Sequence, residues 1–73
     1  MKIQLISCDA PRPDKRAIAK VLEEIAVGVS GYEATEMAEF LIDGSTVDIE
    51  ISGKNTSSAF RALRKLEIDY EMN

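Results

Sequence analysis

The sequence predicts an α+β domain, a two-layer sandwich with the order β-α-α-β-α-β and three helices on one face of a three-stranded sheet. Three observations carry this. First, residues 14–41 hold two apolar stripes at helical spacing, Ile18-Val21-Leu22-Ile25 and Ala34-Met37-Ala38-Leu41, separated by Gly28-Val29-Ser30-Gly31. Second, residues 45–52 alternate, with Val47, Ile49 and Ile51 on one side and Thr46, Asp48, Glu50 and Ser52 on the other. Third, the stripe Ala59-Phe60-Leu63-Leu66 leads into a last alternating stretch over 67–72.

Residues 2–7 form the first strand, with Ile3 and Leu5 on one side and Lys2, Gln4 and Ile6 on the other. Apolar residues on both faces suit a central strand. Pro11 and Pro13 break the ladder. Asp14 is placed to cap the first helix, since its carboxylate can accept from free backbone N–H groups. Lys20 and Glu24 are four residues apart on its outer face and are expected to pair. Gly28 is the expected left-handed residue at its end.

Ser30-Gly31-Tyr32-Glu33 has the spacing of a capping box, which starts the second helix. Asp43-Gly44 ends it. Gly53-Lys54-Asn55 is the expected turn after the second strand, with Asn55 or Thr56 capping the third helix. In the last strand Ile68, Tyr70 and Met72 are expected to face the core, with Glu67, Asp69 and Glu71 facing away. A helix joining the second and third strands makes them parallel, with a right-handed crossover. The first strand then fits between them, antiparallel to both, in the order 2-1-3.

Size and composition bound the rest. Residues 1–73 make one domain. A chain this short buries about 60% of its unfolded surface, and its core supplies roughly 3–5 kcal/mol. Little room is left for a large internal pocket. The formal charge is −4 and the pI about 4.7, so the body repels phosphate backbones and general nucleic-acid binding is not expected. One cysteine, Cys8, excludes an intrachain disulfide and fits a reducing cytoplasm. No segment reaches the ~20 apolar residues of a membrane span, and the N-terminus lacks a signal-peptide core. There is no histidine, so a Cys–His pair cannot form. The glycines lack phosphate-loop spacing. The carboxylates of the two later strands lie side by side rather than converging, so no metal site is expected. Nothing points to an enzyme or to a cofactor.

The element order, with AIAKVLEEI at 17–25 and GYEATEMAEFL at 31–41, resembles the C-terminal domain of the bacterial ribosomal stalk protein of the large subunit. The likeness covers residues 2–73. The glycine-containing break matches Gly28-Val29-Ser30-Gly31, and Glu33-Ala34 supplies the Glu-Ala pair of the second helix. The resemblance implies a non-enzymatic protein-interaction module, translation-linked, that docks a partner through its first two helices. Lys15 and Lys20 match the family's basic contact positions, and Ala17, Ile18 and Ala19 its apolar ones. Glu23 stands where that family usually has arginine and Thr35 where it often has lysine, which thins the contact charge. The family's dimerisation helices and hinge have no counterpart in these 73 residues. The same fold group includes the ClpS adaptor, which grips the N-terminal residue of degradation substrates. Asp9 falls near that family's binding region, but its histidine has no match.

The candidate partner-binding residues are therefore Lys15, Arg16, Ala19 and Lys20. The bland account of the same residues is a solvated helix face. Arg61, Arg64 and Lys65 form a second basic cluster, either solvated surface or a small nucleic-acid contact. The expected partner is a protein, and the chain a monomer or weak homodimer.

Overall fold

The computed structural model describes residues 1–72, apart from the side chain of Asn55. In chain order the elements are β1 (Lys2–Cys8), α1 (Lys15–Ile25), α2 (Gly31–Ile42), β2 (Val47–Glu50), α3 (Thr56–Lys65) and β3 (Ile68–Met72), with a 3₁₀ turn at Gly53–Asn55. The sheet order is β2-β1-β3, and β1 is antiparallel to both neighbours. This is the α+β architecture that the sequence predicts. Ile3 and Leu5 of the central strand pack with Val47, Ile49 and Ile68 against Ile18, Leu22, Ala34, Ala38, Leu41, Ala59 and Leu63 of the helices. Ile3, Leu5, Leu22 and Leu63 are fully buried, and each such side chain contributes about 1.5–3 kcal/mol by leaving water. Among the described residues no helix is long and apolar enough to cross a membrane.

The helix starts follow the sequence. Asp14 Oδ1 accepts from the Ala17 amide at 3.2 Å. Ser30 Oγ accepts from the Glu33 amide at 3.2 Å. The Glu33 carboxylate accepts in turn from the Ser30 hydroxyl, at 3.2 Å, instead of from the Ser30 amide. The end of α2 also follows: Gly44 takes a left-handed φ of 92°. Its amide then reaches the Leu41 carbonyl at 3.1 Å and the Ser45 amide the Phe40 carbonyl at 2.8 Å, satisfying two carbonyls that the helix leaves open.

Elsewhere the structure corrects the expectation. Helix α1 does not run to Gly28. It stops at Ile25, and Ala26 is already extended. The reason lies across the molecule: Ala26 bridges Ile51, and the Val27 amide donates to the Glu50 carbonyl at 2.7 Å. Sheet pairing takes the two residues after the helix, and Gly28, at φ 75°, serves the turn beyond them. The cap of the third helical segment also moves. Ser52 Oγ accepts from the Lys54 amide at 3.3 Å, so the 3₁₀ turn is the capped end. Thr56 is already helical and donates its hydroxyl to the Gly53 carbonyl at 3.1 Å. The side chain of Asn55 lies outside the described residues.

Two departures concern the sheet. The β1–β3 register slips between Leu5 and Ser7, so Ile6 has no partner on β3. One extra residue reverses the alternation beyond it. Ser7 then lies opposite Asp69, and Cys8 opposite Ile68, which turns Cys8 to the core side. Met72 was expected in the core but is 64% exposed. It is the last residue of its strand, while Leu63 and Phe60 of α3 and Leu66 of the following turn pack in the core with Ile68 and Tyr70, the start and middle of β3. Glu67 belongs to the turn before β3, with a left-handed φ of 57°, rather than to the open sheet face.

Candidate interaction surface

Helices α1 and α2 form an antiparallel hairpin. Lys15, at the start of α1, bonds Glu39 of α2, Nζ to Oε1 3.1 Å. At the other end, the carboxylate of Glu23 lies over Gly31, where an added Cβ would come within 3.3 Å of Oε2. Lys15, Ala19 and Glu23 follow one another at four-residue steps and so share one side of α1. That side is the seam with α2. Ala19 is half-buried against the core, and Lys15 is engaged by Glu39.

Arg16 and Lys20, also four residues apart, are exposed on the outer crest of α1. The four partner-binding candidates are thus divided between the seam and the solvent. The expected Lys20–Glu24 pair is not formed; the ion pair among the described residues is Lys15–Glu39. On α3, Arg61, Arg64 and Lys65 are all exposed, and that helix carries no acidic residue. Helix α2 is the reverse, with Glu33, Glu36 and Glu39 and no lysine or arginine.

Sequence reasoning missed the apolar part of this surface. Val27 is 54% exposed and Tyr32 is 76% exposed, on either side of the α1–α2 turn. Phe40 and Ile42 are exposed further along α2. Tyr32 and Phe40 lie outside the stripe Ala34-Met37-Ala38-Leu41, and that offset was the available signal. The Tyr32 phenol is held above its ordinary pKa, first by its hydrogen bond to Glu36 and then by that carboxylate's charge. Tyr32 therefore stays neutral at physiological pH and presents a ring with a hydrogen-bonding tip.

Among the described residues no charged or polar side chain is buried. None of the acidic residues or Cys8 gather into a set of three able to hold a metal. The Cys8 thiol is half-buried and donates to the Leu66 carbonyl at 3.6 Å, a packing role. A cleft of about 290 Å³ lies on the sheet, lined by Lys2, Asp48, Ile49 and Glu50. Three of those four residues are exposed and charged, and Ile49 is the apolar residue of the lining. Comparison with protein-family models, with curated proteins and with solved structures returned no match.

Proposed function

We propose that the chain is a non-enzymatic docking module that binds a protein partner through the α1–α2 hairpin. The observation that carries this is the pair of exposed apolar side chains, Val27 and Tyr32, at the hairpin turn. Tyrosine in such a position is a frequent interface anchor, because it offers large area at low entropic cost. Arg16 and Lys20 would steer an acidic partner toward it, while the charge of Lys15 is offset by its ion pair with Glu39. The likeness to the ribosomal stalk domain favours a translation-linked partner in the cytoplasm. It rests on element order and apolar spacing.

A second reading uses α3, whose Arg61, Arg64 and Lys65 are exposed with no acid between them. It makes the chain a small nucleic-acid binder.

Affinity capture from native extract, followed by mass spectrometry, tests the first reading. The wild-type chain should enrich a partner that Lys20→Glu and Tyr32→Ser each fail to hold. Equal capture by both variants rejects the hairpin as the site. Titration with single-stranded RNA at several salt concentrations tests the second. A steep fall of affinity with salt, lost in Arg61→Glu/Arg64→Glu, would move the function to α3.

A further inference from the structure

We propose that the outer edge of β3 is a strand-addition site for an extended, basic segment of another protein. It lies on the sheet margin, apart from the hairpin surface above.

The two margins of the sheet differ. That of β2 is partly covered, because Ala26 bridges Ile51 and the Val27 amide donates to the Glu50 carbonyl. No strand lies along the outer side of β3 among the described residues. The direction of its backbone groups follows from the register. Met1 and Ile51 exchange both bonds, the Ile51 amide to the Met1 carbonyl at 2.8 Å and the Met1 ammonium to the Ile51 carbonyl at 3.1 Å. Antiparallel alternation then makes Ile3:Ile49 and Leu5:Val47 the bonded pairs on that side. Gln4 consequently turns its groups toward β3 and bonds Glu71. Tyr70 and Met72 are left to point their N–H and C=O groups out of the sheet.

The side chains define what would fit. Toward the helices the edge presents exposed Met72 and the half-buried Tyr70, which stacks on Phe60 with ring centroids 4.8 Å apart. On the open face it presents Asp69 and Glu71, both exposed. Asp9 stands beside Asp69 and raises its pKa, so a third carboxylate borders the same stretch. A second copy of this chain is a poor occupant. Antiparallel pairing of two β3 strands about Tyr70 sets Asp69 opposite Glu71, and like charges directly opposite are destabilising. A strand with lysine or arginine at alternate positions and apolar residues between them reverses that sign. Its cations would meet Asp69 and Glu71, and its apolar side chains Met72 and Tyr70.

The test is a titration of the isotope-labelled chain, followed by amide NMR, with the blocked peptide Lys-Val-Lys-Thr-Lys-Val-Lys. Two controls accompany it: the same peptide with glutamate for lysine, and one N-methylated on the residues that would donate to β3. Saturable shifts at the Tyr70 and Met72 amides, abolished by N-methylation, are expected. The glutamate peptide and the Asp69→Asn/Glu71→Gln variant should each weaken binding about tenfold or more. Binding by the N-methylated peptide as tightly as by its parent overturns the proposal. So do shifts confined to α1 and α2, equal binding of the glutamate peptide, self-association of the chain through β3, or no shift at about 1 mM peptide.

Discussion

Lys15 Nζ stands 3.1 Å from Glu39 Oε1, a contact between residues 24 apart in sequence that joins the first turn of α1 to α2. Both side chains are about half exposed, at 49% and 53%. An ion pair of that kind is screened by water and contributes about 0.2–1 kcal/mol. A double-mutant cycle with Lys15→Ala and Glu39→Ala, read by urea unfolding, should give a coupling in that range. Roughly 0.5 M salt should erase most of it. A coupling above about 2 kcal/mol would mean that the pair is shielded in a way the exposure denies.

The margin of stability sits in the core. Leu22 is fully buried where α1 meets the sheet and the other helices. Leu22→Ala should cost about 2–5 kcal/mol, comparable to the whole roughly 3–5 kcal/mol available to a domain of this size. The variant should therefore be substantially unfolded at room temperature by circular dichroism. Leu22→Met conserves volume and should lose less than about 1.5 kcal/mol. A folded, cooperative Leu22→Ala would show that the stability lies elsewhere.

Asp69 predicts a pH dependence. Asp9, by hydrogen bonding and then by charge, raises its carboxyl pKa above the ordinary value. A carboxyl raised by folding holds its proton more tightly in the folded chain than in the unfolded one. Its contribution is thus stabilising below the unfolded pKa and is lost as pH rises through the folded one. As pH rises through that folded-state pKa, the charge that develops on Asp69 is opposed by the charge of Asp9. Asp69→Asn should therefore raise the urea midpoint at pH 7, and the gain should fade as the medium is made acidic. A gain that grows toward acid pH would contradict the pairing.

Architecture was readable from spacing because each apolar stripe has one face to bury, and Ile18, Leu22, Ala34, Ala38, Leu41, Ala59 and Leu63 all bury it. Caps were readable because Asp14, Ser30 and Gly44 act within a few residues of themselves. What was missed depends on distant partners. Ala26 leaves its helix to meet Ile51, and no local pattern records that. The slip after Leu5 arises from pairing with β3, so Cys8 changed sides without any signal in its own neighbourhood. The surface candidates fared likewise. Lys15 and Ala19 share a helix face with Glu23, and only the placement of α2 decides that this face is a seam.

The slip in β1 makes the chain unequally sensitive to shortening. Ile6 is the residue that the ladder to β3 does not count. Removing it would leave Leu5 followed by Ser7 and Cys8, each still opposite the residue it faces now. Removing Gln4 would instead carry Ile3 and the amino terminus to the wrong face of the sheet. One strand thus contains both a position where the reading of inside and outside survives a lost codon and, two residues earlier, a position where it does not.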